Sequence, residues 1–177
     1  MKSSLQNIQL PAFVLVDLYK ESIVVQETEQ AVQKIKQVVD ETPNGKWFLG
    51  DNKKQITILV HDVEAVFLND NAYTFLSSIL AACKLNVGDV AIINFAKTKV
   101  SLNTILNELK PHNLLIFGPS SVNIDLPFSI PLYQIKQLDN CNYLTAVLLE
   151  TMQGNTPNAK EEKGKLWTSL QQLFQLK

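Results

Sequence analysis

Short apolar runs that alternate with helix-periodic stretches constrain this chain more than any other feature of it. Gln55-Ile56-Thr57-Ile58-Leu59-Val60, Val90-Ala91-Ile92-Ile93-Asn94 and Leu114-Leu115-Ile116-Phe117-Gly118 are continuous apolar segments bounded by turn residues, the pattern of strands buried on both faces. Between them lie a helix from about Ala72 to Cys83 and a second helix capped by Ser101, carrying Leu102, Ile105, Leu106 and Leu109. Buried strands separated by amphipathic helices imply an α/β fold, a three-layer α/β/α arrangement around a mainly parallel central sheet. In such sheets a ligand site sits at the carboxyl ends of the strands, which draws attention to the polar Asn94.

Around this core the pattern is less regular. Trp47-Phe48-Leu49-Gly50, the polar Asp51-Asn52-Lys53-Lys54 and the strand at 55–60 read as a hairpin-like entry. A last strand is expected near Pro131–Ile135, followed by a helix capped at Thr145. A final helix opens at Asn158, with Glu161 placed for a capping box, and carries Leu166, Trp167, Leu170, Leu173 and Phe174 as core-packing residues. Upstream, Pro11–Val25 is strongly apolar, Thr28–Val39 has helical spacing with a single apolar stripe of Val32, Ile35, Val38 and Val39, and Thr42-Pro43-Asn44-Gly45 stops that helix. With 177 residues and 46% hydrophobic content, one core is expected. The chain reads as a single domain over 1–177, with residues 1–25 a partner-docking N-terminal segment, 26–50 a helical and turn insertion, and 51–177 the α/β/α core.

Charge and cysteine usage narrow the function. The net charge is −1, and all 16 basic residues are Lys, with no Arg. Arg is the usual bidentate reader of phosphates and guanine edges, and the Lys residues form no dense tract, so strong unaided binding to duplex DNA is disfavoured. An AT-rich coding sequence accounts for the missing Arg equally well. Cys83, on a buried helix face, and Cys141, in a loop, are too few for a zinc or iron-sulfur site, and no cofactor or metal is expected. The N-terminus lacks the apolar core of a secretory signal and no apolar segment is long enough to span a bilayer. A cytoplasmic protein is the expectation.

Three blocks, in this order, resemble the uracil-DNA glycosylase superfamily, particularly its iron-sulfur branch. They are the helix and strand from Phe75 to Lys97 with its terminal Asn94; Leu109-Lys110-Pro111-His112-Asn113 leading into the strand that ends at Gly118; and Ala146-Val147-Leu148-Leu149 with Asn155-Thr156-Pro157, Lys160 and Trp167. The resemblance implies a glycosylase-like fold in which Asn94 stands where the family's Asn reads a flipped uracil. The chain departs from the family at the chemistry. The Gly-Glu-x-Pro-Gly loop is replaced by Val60-His61-Asp62-Val63-Glu64-Ala65, with Asp62 standing where the acid belongs; the His-Pro motif aligns with Leu144-Thr145; the loop for the uracil-stacking Phe is too short; and the cluster Cys are absent.

The psi subunits of DNA polymerase III are non-catalytic and have lost these same elements. Their C-terminal pattern resembles Thr145-Ala146-Val147-Leu148, Asn155-Thr156-Pro157 and Leu166-Trp167, and their docking segment resembles Leu5-Gln6-Asn7-Ile8 followed by Phe13 and Leu15. This resemblance implies a replication accessory protein that links clamp-loader subunits to a chi-type subunit, meets single-stranded DNA indirectly through single-stranded-DNA-binding protein, and touches no membrane. Docking would fall to Leu5, Ile8, Phe13, Leu15, Leu18 and Tyr19, in keeping with helix-in-groove binding. The alternative is a divergent glycosylase or other nucleobase-processing enzyme using Asn94, Asp62 and His61. The two readings separate on structure. An enzyme requires a pocket bounded by Asn94, Asp62 and an aromatic ring, whereas an accessory protein requires that pocket filled and an apolar patch exposed.

Overall fold

The computed structural model describes residues 45–118, 126 and 129–176, all within a compact unit spanning Asp40–Lys177. The segments Pro11–Val25 and Thr28–Val39, and with them Leu5, Ile8, Phe13, Leu15, Leu18 and Tyr19, lie outside the described residues.

The described residues form a mixed six-stranded sheet with three helices: β1 (Leu49–Gly50), β2 (Ile56–Val60), α1 (Asp70–Ala82), β3 (Val90–Asn94), α2 (Leu102–Leu109), β4 (Asn113–Phe117), β5 (Ile135–Leu138), β6 (Cys141–Ala146) and α3 (Pro157–Phe174). The spatial order is β1-β3-β2-β4-β6-β5. The four inner strands β3, β2, β4 and β6 are parallel, with Ile56 opposite both Val90 and Asn113, and each edge strand is antiparallel to its neighbour.

Side chains of successive strand residues leave on opposite faces, so an apolar run feeds two cores. Ile56, Ile58, Val60, Val90, Ile92, Leu115, Phe117, Leu144 and Ala146 pack with Ala72, Leu76 and Leu80 of α1 and Leu166 and Leu170 of α3. Leu59, Ala91, Ile93, Leu114, Ile116, Cys141 and Tyr143 pack with Leu102, Ile105 and Leu109 of α2 and with Trp47. Thr57 is the exception on the second face. It is fully buried opposite Ala91 and Leu114, and its hydroxyl finds no partner among the described residues.

Several expectations need correction. The segment before β2 is not one arm of a hairpin with it, because β1 and β2 flank β3 on opposite sides. The intervening turn is held by β3 and the 3-10 turn before it: Asn52 N–H donates to Val90 O, Lys53 N–H to Gly88 O and Lys54 N–H to Asp89 O. Gly50 makes this crossing possible, since its φ is +101° and a Cβ there would lie 2.1 Å from Val90 O. Pro131–Ile135 is not the last strand. The chain turns at Pro131–Tyr133, and the strand begins at Ile135.

Thr145 caps no helix. It lies inside β6, which alternates Cys141, Tyr143 and Thr145 with Asn142, Leu144 and Ala146, and its hydroxyl donates to Ile130 O and Pro131 O. Cys141 is therefore a buried strand residue. The hairpin into β6 turns on Asp139-Asn140, both at positive φ (48° and 62°), the backbone of a type I′ turn. The final helix is capped by Thr156, whose hydroxyl accepts from Ala159 N–H, with Pro157 at the first helical position.

Candidate functional site

β2 and β4 are spatial neighbours from which the chain continues in opposite directions along the sheet, from β2 through α1 to β3 on one side and from β4 toward β6 and β5 on the other. Their carboxyl ends are thus the switch point where an open α/β sheet holds a ligand. His61, Asp62 and Asn94 all come to this end.

Asn94 is completely buried at the last position of β3. Its Nδ2 donates to the carbonyl oxygens of Asp62 (2.7 Å), Ala65 (2.9 Å) and Val66 (3.2 Å). Its Oδ1 accepts from the N–H groups of Asp62 (3.0 Å) and Ala96 (3.1 Å). An amide offers two donors and two acceptor lone pairs, so this side chain has no capacity left to read a base edge while the loop after β2 is in place. Three carbonyls on one side and two N–H groups on the other also fix which way the amide points.

Asp62, 32 residues earlier, is equally occupied. Its Oδ1 accepts from Glu64 N–H (2.9 Å) and Ala65 N–H (3.0 Å), and its Oδ2 accepts from the Asn69 N–H and the Asn69 Nδ2 (both 2.9 Å). Burial pushes its pKa up, but the backbone donors of Ala65, Glu64 and Asn69 and the Asn69 amide together hold it below the ordinary aspartate value. A general base needs a free lone pair and a pKa near the working pH, and this carboxylate has neither. Asn69 completes the chain of contacts: its Oδ1 accepts from Ala72 N–H as the N-cap of α1. A single polar network thus ties the end of β3 to the 62–66 loop and to the start of α1.

His61 is exposed at the rim of the remaining crevice. That crevice, lined by Val60, His61, Asp62, Phe117, Leu148 and Leu149 among others, has a volume of about 10 Å³, room for about one water and not for a nucleobase. Leu148 helps fill it. Gly118, at φ +94°, is so close beneath Leu148 that a Cβ would meet its Cδ2 at 2.2 Å. The apolar side chains of the loop turn outward instead, with Val63 65% and Val66 72% exposed.

A different concavity is open. Phe75, Ser78, Ile79 and Ala82 of α1 face Lys163, Leu166, Trp167 and Leu170 of α3 across a groove of about 230 Å³. Both sets step i, i+3, i+4, i+7, one face of each helix. Trp167 was expected in the core with Leu170 and Phe174; Leu170 is buried, but Trp167 is 37% exposed. At the opposite end of the sheet His112, Lys110 and Asp139 line a hollow of about 270 Å³ with Cys141 and Tyr143. Burial pushes the Cys141 thiol up to about 11 and the Tyr143 phenol up to about 12, so neither ionises near neutral pH. Among the described residues no group of three or more His, Cys, Asp or Glu side chains gathers to hold a metal, and no helix is long and apolar enough to cross a membrane.

Sequence reasoning missed Asn69 and the groove. An Asn directly before the α1 pattern was a readable capping signal, whereas the groove depends on how far apart α1 and α3 sit, which no local pattern encodes. No family model matches the chain, and no curated protein matches its sequence.

Proposed function

We propose that this chain is a non-catalytic accessory protein of the replication machinery, built on a three-layer, glycosylase-like core and working in the manner of the psi subunits it resembles. It would join clamp-loader subunits to a chi-type subunit and so reach single-stranded-DNA-binding protein, stabilising an assembly without chemistry. The observation that carries this reading is the state of the strand-end crevice. Asn94 and Asp62 spend their entire hydrogen-bonding capacity on the protein's own backbone and on Asn69, and the space beside them holds about one water, while an apolar groove stays open elsewhere.

The test is affinity purification of the tagged full chain from its native host, beside a variant lacking residues up to Tyr19, with partners identified by mass spectrometry. Recovery of clamp-loader subunits by the full chain alone is the expected result; absence of all replication proteins refutes the reading. The second reading, a nucleobase-processing enzyme, draws its support from the direct contact between Asp62 and Asn94. It requires the 62–66 loop to open, and it predicts uracil release that Asn94→Ala abolishes.

A further inference from the structure

The α1/α3 groove combines three properties that point to one kind of occupant. Its walls are almost wholly apolar: Phe75, Ile79 and Ala82 on one side and Leu166, Trp167 and Leu170 on the other, with Ser78 the single neutral polar side chain. A small-molecule site pairs an apolar lining with several convergent polar groups, which this groove lacks. The 3-10 turn at Leu149–Met152, with Met152 fully buried, touches both helices, so a fixed element of the core supports both walls.

The second property is the outer face of α1. Its exposed positions Asn71, Tyr73, Thr74, Ser78, Ala81 and Ala82 carry no charge, the helix's sole charge being Asp70 in its first turn. Helices facing water normally carry charged residues on that side; depletion of charge beside a Trp that is 37% exposed is the composition of an interface centre. Ser78, Ala81 and Ala82 are also small enough to let a second backbone approach closely.

The third property is Lys163. Its ammonium lies 5.5 Å from the centre of the Phe75 ring and donates to Gly154 O at 2.8 Å. An ammonium has three donors, and no carboxylate among the described residues pairs with this one, whereas Lys165 on the same helix already holds Glu161 and Glu162. The groove therefore offers one positive charge at an otherwise uncharged apolar seat.

We infer that this groove seats a single amphipathic helix of a partner protein, with apolar side chains at i, i+3 or i+4, and i+7 between α1 and α3 and a carboxylate against Lys163. The inference rests on the accessory-protein reading and assigns it a binding surface within the described core.

The test places a photo-crosslinking amino acid at Ser78 of the full chain in the native host and reads the sequence of the cross-linked peptide. Ser78 is exposed and its hydroxyl bonds only its own helix, at Thr74 O, so the change leaves the core intact. The expected product is a segment of another protein with that apolar spacing and an acidic residue at the Lys163 end. Trp167→Ala and Lys163→Glu should each lower its yield on the order of tenfold, and a Lys in place of the partner's acid should restore yield to the Lys163→Glu chain. Cross-linking only to a second copy, to this chain's own residues or to a segment without that pattern overturns the inference, as does no cross-link or a yield indifferent to both variants.

Ala82→Arg, which blocks the groove from another exposed lining position, guards against loss through misfolding; circular dichroism checks that each variant is folded. Failure of the two proposals can be told apart. A partner outside any replication assembly refutes the replication role and leaves the groove assignment standing. Replication proteins recovered by the wild type, with a Ser78 cross-link yield that Trp167→Ala and Ala82→Arg leave unchanged, refute the groove assignment alone.

Discussion

Removing the Asn94 amide should destabilise the whole molecule, and the structure sets the scale. Asn94→Ala leaves five backbone groups without their partner: the N–H of Asp62 and Ala96 and the carbonyls of Asp62, Ala65 and Val66. The Ala65, Val66 and Ala96 groups lie near solvent and can regain water. The N–H and C=O of Asp62 are buried, and each orphaned buried group costs about 1–3 kcal/mol, giving a loss of about 2–6 kcal/mol against a typical total of about 5–15. Asn94→Asp should be worse at neutral pH, because a carboxylate would face three carbonyl oxygens; its excess over Ala should shrink in acid, where protonation restores a donor. Urea unfolding followed by circular dichroism measures the change, with an unaltered denaturant slope as the sign that stability alone has moved. If Asn94→Ala unfolds within about 0.5 kcal/mol of wild type, the range of an ordinary surface change, the amide is not the clamp described here, and a role in ligand recognition regains its footing.

Asp62→Asn should cost about 1.5–3 kcal/mol at neutral pH and flatten the acid limb of the stability curve. Because the folded state holds this carboxyl below the ordinary 3.8, its contribution is present above that value and lost as pH falls through the folded-state pKa; an unchanged acid limb in urea titrations at several pH values would refute the assignment. Thr57→Val removes a buried hydroxyl that has no partner among the described residues and keeps the shape, so it should stabilise by about 1 kcal/mol, seen as a thermal midpoint raised by roughly 2–4 °C; a lower midpoint would mean the hydroxyl is satisfied. Gly118→Ala should cost about 1–3 kcal/mol from its positive φ and its clash with Leu148, and less in a Leu148→Ala background. A double-mutant cycle with no coupling would show that the two do not press on one another. Asn69→Ala should lose about 1 kcal/mol as a cap and speed amide exchange in the first turn of α1 while leaving the turn around Ala82 unchanged.

The parallel centre of the fold was legible because its signals are local. Ile56–Val60, Val90–Asn94 and the strand ending at Phe117 are apolar at nearly every position and bounded by turns, and Ser101 marks the first residue before α2. The edges were not, since an edge strand needs only a partner and little sequence of its own. Two residues at Leu49–Gly50 suffice for β1, and its partner is β3, some forty positions on. β6 was misread through the helix-like run from Thr145 onward, although the alternation from Cys141 to Ala146 and the Asp139-Asn140 turn carried the strand signal. Asn94 stood out as a polar end to an apolar strand, but its role depends on which groups it meets, and those come from a loop about thirty residues earlier in the chain. Trp167 belongs to a wide apolar arc on α3; whether a residue at the margin of such an arc is covered depends on the neighbouring helix and not on the period.

The same polar network that closes the strand ends also positions the open groove. Asn94 holds the 62–66 loop, Asp62 holds Asn69, and Asn69 caps α1 through Ala72. α1 in turn supplies one wall of the groove through Phe75, Ser78, Ile79 and Ala82. Polar residues at the place where an α/β sheet would hold a ligand are thus turned inward, and what they fix is the origin of a helix whose outward face lacks charge. A surface built this way presents a pre-set, low-entropy seat, and preorganisation of that kind raises affinity for a partner by reducing what must be ordered on binding. A loop free to open would supply room for a base but would release the N-cap of α1 with it, at a cost of about 1 kcal/mol. That coupling supports the proposed seat on the helix face over a ligand site at the strand ends.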